Sequence, residues 1–467
     1  MTRSLRYALA AGLGGLLTLG SAHAAAVGDH YGKWLGKVTI PKGPTLAVGF
    51  ELFERADGSP GGRLVSPEQG VFNLPIDIGS SADGSFDVTA PAVGIRFHLH
   101  PNGDRLEGEA HQGPLAMPLV LTRVEGFGEP SRPQTPKAPF PYRAEALAVT
   151  GRNGVVLSGT LTRPNGYRPV TAVVFLHGSG PADRDESVFG HQPFAVLADY
   201  LTRHGVAVYR YDKRGVMRST GDYQSATEAD FAEDGEAAVK ALKARKDIGR
   251  VGVLGHSEGG LLAAMITAQH PRDVDFVVSL AGPGLKGEDM ILLQDRVGYE
   301  KLGLPRAQVQ MLMTYGKGFY DTVVANEDVA ARMNALTALQ SSLSEPDRAL
   351  VQQYASHGTL SMQPAATPAL RVLLMSDAPA LWRRVQCPVL ALDGGLDVQV
   401  PPRENLDAIR QALAAGRNER AEIVLMPGLN HMFQTAKTGL ADEYPKIDET
   451  MSPSVLRRIM TFLKRQS

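Results

Sequence analysis

Hydrophobic positions divide this chain into two regimes. From residue 27 to about 127 the apolar residues come in short alternating runs: Lys37-Val38-Thr39-Ile40, Leu46 to Leu52, Phe86-Asp87-Val88-Thr89, Ile95 to Leu99 and Met117 to Leu121. The dipeptides Asp57-Gly58, Asp83-Gly84 and Asn102-Gly103 punctuate them. Period-two runs with such turns predict a small all-β barrel or sandwich. From about Ala144 the pattern changes. A hairpin signal at Asn153-Gly154 lies between Leu147 to Thr150 and Val155 to Leu161. Continuous apolar strands then alternate with amphipathic stretches. They run from Ala172 to Leu176, Gln192 to His204, Val206 to Arg210, Ala229 to Ala244, Val251 to Leu254 and Phe276 to Leu280. Such alternation predicts a mainly parallel sheet covered by helices. It breaks over 285–385, where Arg306 to Lys317 and Glu327 to Leu343 read as helices. It resumes with Val389 to Leu392, Pro402 to Leu413, Glu422 to Leu425 and Pro453 to Lys464. The interruption is too long for a plain connection and predicts a helical cap.

The predicted organisation is a leader over 1–24, a small β-barrel or sandwich domain over 25–128, a proline-rich linker over 129–143 and an α/β domain over 144–467 with its cap at 285–385. The leader rests on Arg3 and Arg6, the apolar run Tyr7 to Gly20 and the A-x-A site Ala22-His23-Ala24. Cleavage after Ala24 leaves 467 − 24 = 443 residues. A periplasmic or secreted protein follows as an expectation. No later run is long and apolar enough to span a bilayer. The formal net charge of −1 becomes about −3 once the leader's two arginines are gone, which favours neither nucleic acid nor an anionic membrane. Cys387 is the only cysteine, so no internal disulfide can form. It enters a strand and reads as a small buried hydrophobe. His98 and His100 share a strand face at i, i+2 spacing, with His111 nearby, but no carboxylate or thiol completes a convincing metal set. These histidines are expected to be packed or at the surface. Nothing in the chain implies a metal or organic cofactor.

Chemistry concentrates in Gly255-His256-Ser257-Glu258-Gly259, a G-x-S-x-G motif between the strand Val251 to Leu254 and the helix that opens at Gly260. A serine on a sharp strand-to-helix turn is a nucleophile elbow, and on such sheets acid and histidine follow the serine in that order. A serine hydroxyl needs a base. Three histidines follow Ser257: His270 at the end of the elbow helix, His357 in the predicted cap and His431 just past the last strand. His431 has the placement of the general base. Asp397, in Gly394 to Pro402, is the candidate acid, with Asp393 a rival that more readily caps the strand-end turn. Glu288 and Asp289 are weaker rivals. An oxyanion hole needs two backbone donors. The N–H of Glu258 supplies one. The N–H of Ser179 in His177-Gly178-Ser179-Gly180-Pro181 is the other, with Gly178 or Gly180 as register alternatives. The side chains of His177 and Ser179 are read as shaping the loop, and His256 as a packing residue of the elbow. Asp183-Arg184-Asp185-Glu186 and Asp212-Lys213-Arg214-Gly215 are read first as an ion network holding the oxyanion loop, and second as a site for a charged end of a substrate.

Five motifs in order carry a family resemblance: His177 to Asp185, Tyr211-Asp212-Lys213-Arg214-Gly215, Gly255 to Gly260, Gly394 to Pro402 and Leu429-Asn430-His431. Over roughly 144–467 the chain resembles the α/β-hydrolase superfamily and, within it, bacterial EstD-type carboxylesterases, often labelled serine aminopeptidase-like or prolyl-oligopeptidase-like hydrolases. The stretch with Trp34-Leu35-Gly36 looks like the small β domain that precedes some of them. The resemblance implies nucleophile Ser257, acid Asp397 and base His431. At Met217-Arg218-Ser219 relatives usually carry glycine in place of the methionine, so the shape of that loop departs from the pattern. The expected activity is hydrolysis of a small-molecule carboxylic ester, with Met311, Leu312, Met313, Met362, Leu373 and Leu374 either offering an acyl pocket or forming the cap's own core. Peptidase action on the same machinery, with Glu258 or a cap acid holding the substrate amine, and a non-catalytic envelope-binding protein are the rival readings.

Overall fold

Eight short strands whose alternate residues are apolar can bury one face only by wrapping it around itself, and that is how the N-terminal unit is built. The computed structural model describes residues 27–41, 43–69, 71–80, 83–128, 132–166, 168–355 and 360–466. The predicted leader and His357 lie outside them. Strands β1 (Gly32–Thr39), β2 (Thr45–Glu54), β3 (Pro60–Ser66), β4 (Val71–Ser80), β5 (Phe86–Ala90), β6 (Ile95–Asn102), β7 (Arg105–Gln112) and β8 (Leu115–Arg123) form a closed antiparallel barrel. It closes by pairing β1 with β8, Trp34 opposite Arg123 and Gly36 opposite Leu121. Trp34, Phe50, Phe86, Phe97, Leu99 and Leu121 fill the interior. On β8 the buried positions are Met117, Leu119 and Leu121, with exposed residues between them, as a period of two requires. The exposed face carries the histidines: His98 pairs with Asp87 at 2.9 Å, and His111 lies 3.3 Å from Glu109.

In the second unit, continuous apolar strands split their side chains between two helical layers. Its eight-stranded sheet runs in the order β9 (Arg143–Thr150), β10 (Val156–Arg163), β12 (Ala207–Tyr211), β11 (Val170–Leu176), β13 (Ile248–His256), β14 (Val277–Leu280), β15 (Val389–Gly394) and β16 (Ala421–Met426). β9 and β10 are antiparallel additions at one edge, and the other six strands are parallel. On β11, Ala172, Val174 and Leu176 join one core with helices α2 (Glu228–Lys243) and α3 (Glu258–Gln269), while Val173 and Phe175 join the other with α1 (Pro193–Arg203) and the C-terminal helix Pro453–Leu463. A strand covered on both faces has no polar positions to alternate with. This is an α/β-hydrolase sheet preceded by a β-barrel. In the proline-rich stretch, Arg132 is buried and donates to the carbonyls of Pro445 (2.9 Å) and Ile447 (3.1 Å), and Gln134 donates to that of Met451 (2.8 Å).

Between β14 and β15 the described residues form seven helices, from Gly287–Lys301 to Ala378–Trp382. Most of them share a core of their own around Leu312, Phe319, Tyr320, Leu336 and Leu374. Met311, Met313, Met362 and Leu373 pack against that core. Of the two roles expected for these residues, packing in the helical segment's own core is the one these contacts show. Buried Arg332 stitches the segment with donations to the carbonyls of Asn326, Glu327, Ala365 and Thr367. Among the described residues no helix is long and apolar enough to cross a membrane.

Candidate active site

The strand order reverses direction of growth around β11 and β13, the position where the ends of parallel strands open a crevice for a ligand. Both central loops of the candidate site leave from here: the Gly178–Ser179 loop after β11 and the Ser257 elbow after β13. Ser257 has φ 53° and ψ −121°, a conformation that costs an L residue about 1–3 kcal/mol. Its surroundings impose the turn. The Ser257 N–H donates to the Leu280 carbonyl (2.8 Å), and the Ser257 carbonyl accepts from Gly260 (2.8 Å). Glycine is mandatory beside it: a Cβ at Gly255 would fall 1.9 Å from the Gly259 carbonyl oxygen, and one at Gly259 would fall 2.1 Å from that of Leu176.

Asp397 and His431 meet. The Nδ1 of His431 lies 2.6 Å from Asp397 Oδ2, with both side chains buried. The other oxygen of Asp397 accepts the backbone N–H of Gln399 (2.7 Å) and Val400 (2.9 Å). The turn expected to be capped by Asp393 is thus capped by Asp397. Asp393 is fully buried beside it, and burial, then the charge of Asp397, pushes its carboxyl well above the usual range. The two loops are joined by backbone: Leu396 donates to the Leu429 carbonyl (2.8 Å). The His431 loop is fixed internally by the Asn430 side chain, which donates to Gln434 Oε1 and accepts its backbone N–H, both at 2.9 Å. Glu288, the weaker rival acid, pairs with Lys317 at 3.0 Å. His270 pairs with Glu236 at 2.8 Å.

His256 ties His431 to the elbow. Its Nε2 lies 3.1 Å from the His431 carbonyl oxygen, and the two rings sit 4.9 Å apart. Its Nδ1 lies 3.2 Å from Glu186 Oε2. Burial is the largest single effect and would lower the pKa of His256, but the charge and hydrogen bond of Glu186, the His431 carbonyl and the Asp397 charge together raise it. Burial likewise opposes the Glu186 carboxylate, and the His256 charge with the Gly178 N–H holds its pKa below the usual range. The Ser257 hydroxyl itself has no hydrogen-bond partner among the described residues, as in many unliganded serine sites whose contacts tighten with substrate.

The loop after β11 lies against the nucleophile: a Cβ at Gly178 would be 3.3 Å from Ser257 Cβ. Gly178 N–H already donates to Glu186 Oε1 at 2.7 Å, which removes it as an oxyanion donor. Ser179 sits exposed at the loop. Glu258, at the first position of α3, contributes its side chain to buried Lys213 at 2.8 Å. His177 packs between Phe194 and Tyr211 (ring centroids 5.3 and 5.2 Å), and burial pushes its pKa down to about 4.

Of the two roles considered for the charged stretches, the structure shows mutual satisfaction. Arg184 is bidentate on Asp212 (3.0 and 2.7 Å) and also donates to Thr160 and Ser158. Arg210 pairs with Asp185, and Arg214 grips Asp234 with two bonds at 2.7 and 2.8 Å. Glu186 and Lys213, which the sequence places in a general ion network, make specific contacts with the Gly178 backbone that no local pattern announces. Only spatial proximity identifies such contacts. Met217, where glycine was expected, takes φ 46°, the left-handed conformation that glycine adopts without strain.

The family described as serine aminopeptidase, S33, matches residues 167–436. The esterase EstD of Thermotoga maritima is 30% identical over 296 residues, which are 63% of this chain and 61% of EstD, so the chain spans less than two thirds of that relative's length. Among solved structures, the chain is similar to an esterase of Pyrococcus furiosus (16% identity, 69% of this chain and 93% of that one, TM-score 0.39). It is also similar to a proline iminopeptidase of Mycobacterium smegmatis (17% identity, 69% and 98%, TM-score 0.43).

Proposed function

Since the chain belongs to the serine aminopeptidase S33 family, we propose that it is an exported serine hydrolase that cleaves carboxylic esters through an acyl-enzyme. The observation that carries this reading is the Asp397–His431 contact of 2.6 Å on a loop bonded to the strained Ser257 elbow. In this mechanism His431 Nε2 takes the Ser257 proton as Oγ attacks the ester carbonyl. Asp397 accepts from Nδ1–H, which leaves Nε2 free as base and stabilises the imidazolium that forms. The oxyanion rests on the N–H groups of Glu258 and Ser179. His431 then protonates the leaving alcohol, and a water activated by the same ring releases the acid and restores the serine. Export to the periplasm or beyond rests on the charged, apolar and small-residue succession that ends at Ala24.

Esters stand ahead of peptides for two reasons. A relative 30% identical over 63% of this chain is named an esterase. Glu258, the carboxylate beside the nucleophile, is engaged by Lys213 and so is not free to hold a substrate ammonium. A fluorophosphonate probe should label the mature protein at Ser257, and Ser257→Ala should abolish both labelling and turnover of p-nitrophenyl acyl esters. Turnover of aminoacyl-anilides but not of esters would replace the ester reading with a peptidase. A folded protein that takes no label would replace it with a binding protein.

A further inference from the structure

Gly178 is held from both sides by buried ion pairs. Its N–H donates to Glu186. Its carbonyl accepts Lys213 Nζ at 3.0 Å, and the same ammonium lies 3.4 Å from the Gly180 carbonyl and 2.8 Å from Glu258 Oε2. An ammonium has three donors, and each of the three has one of these acceptors. The Lys213 side chain is 3% exposed, with its charge 4.1 Å from the centroid of the Phe231 ring. Burying a lysine this way returns little net stability, because the desolvation cost offsets the attraction. What the arrangement does achieve is geometric. A peptide is planar, and in the trans form the C=O of one residue points opposite to the N–H of the next. Drawing the Gly178 carbonyl onto Lys213 therefore turns the Ser179 N–H away from the ammonium. Gly180 is followed by Pro181, which has no N–H, so the loop offers no competing donor at that peptide. Lys213 also holds Glu258, the residue whose own N–H is the second proposed oxyanion donor.

We infer that Lys213 is the positioning residue of the oxyanion hole, fixing the Gly178–Ser179 peptide and the first turn of α3 with a single charge. This rests on the serine hydrolase reading above. It assigns a catalytic consequence to a residue that does not touch the substrate. The interaction with the acyl oxygen strengthens as the oxygen becomes an anion, so misplacing the donors lowers kcat and leaves ester binding little changed. Glu186, itself paired with His256, braces the preceding His177–Gly178 peptide through the Gly178 N–H.

The test uses the mature full chain with p-nitrophenyl butyrate and a trifluoromethyl ketone, which forms an anionic hemiketal on the serine. Lys213→Met keeps the aliphatic stem and removes the charge. It should lower kcat by about 10²–10³-fold and weaken the ketone by a similar factor, with KM within about threefold. Lys213→Arg, which restores a cation, should recover part of both losses. If Lys213→Met fails to fold, Glu258→Gln serves instead: it keeps both N–H donors and the lysine, and should cost about tenfold in kcat and in ketone affinity. A folded Lys213→Met, or in its absence Glu258→Gln, with unchanged kcat overturns the inference. So does a fall in kcat with unchanged ketone affinity. Full turnover by Ser257→Ala is a different result, because it removes the hydrolase reading itself and the inference with it.

Discussion

Replacing Asp397 by Asn isolates one hydrogen bond in the candidate triad. Asp397 accepts three: from Gln399 N and Val400 N on Oδ1, at 2.7 and 2.9 Å, and from His431 Nδ1 on Oδ2, at 2.6 Å. Asparagine can keep the first two with its carbonyl oxygen, so the loop retains its turn. Its amide then faces His431 with a donor, and His431 answers by carrying its proton on Nε2. That is the wrong tautomer for taking the Ser257 proton, and the imidazolium formed during attack loses its counter-charge. An equivalent exchange in a serine triad costs about 10⁴-fold in kcat. At about 1.36 kcal/mol per decade, this corresponds to ~5.4 kcal/mol of transition-state stabilisation. Stability falls far less, by about 1–2 kcal/mol, because a charge-assisted bond is exchanged for a neutral one and both backbone bonds survive. The measurements are kcat and KM on p-nitrophenyl esters beside a urea unfolding curve. A folded Asp397→Asn protein with kcat within about tenfold of the parent would refute the reasoning, and would move attention to Asp393.

Asp393 and Gly259 give independent tests. Burial and then the Asp397 charge push the Asp393 carboxyl well above its usual range in the fold. A carboxyl raised in the folded state contributes its full stability below its unfolded pKa of about 3.9 and loses it, at about 1.4 kcal/mol per pH unit, as pH rises toward the folded value. Asp393→Asn keeps the neutral form at every pH, so its melting temperature should gain on the parent's between pH 5 and pH 8. A constant difference across that range would show that Asp393 is not neutral in the fold. Gly259→Ala places a methyl 2.1 Å from the Leu176 carbonyl oxygen, where only backbone could yield. It should cost about 3 kcal/mol or more, and a melting temperature within about 2 °C of the parent's would contradict it.

Period and punctuation made much of the scaffold legible. The apolar strands Ala172 to Leu176 and Val389 to Leu392 and the helix Pro402 to Leu413 could be read directly, because burial on the sheet leaves a continuous or 3.6-residue signature. β7 could not: Arg105–Gln112 contributes only Leu106 and Ala110 to the barrel interior. Its Gly108 is there because a Cβ would fall 1.8 Å from the His98 carbonyl oxygen, a reason invisible along the chain. β3, with Gly61 and Gly62, escaped for similar reasons. The glycines around Ser257 announced the elbow, and chain order narrowed the histidines to His431.

Contacts across the fold answer a different kind of question. Asp393 and Asp397 are both aspartates near the end of one strand. It took folding to give one of them two backbone donors and an imidazole, and to leave the other fully buried beside it. Likewise, the 35 positions from Gly178 to Lys213 and the 45 from Lys213 to Glu258 hold no periodic or local signal that they share one ammonium. Side-chain patterns encode which faces are buried, since burial repeats with the backbone. Charge pairing and donor direction depend on where separate loops converge, and that is a property of the assembled sheet.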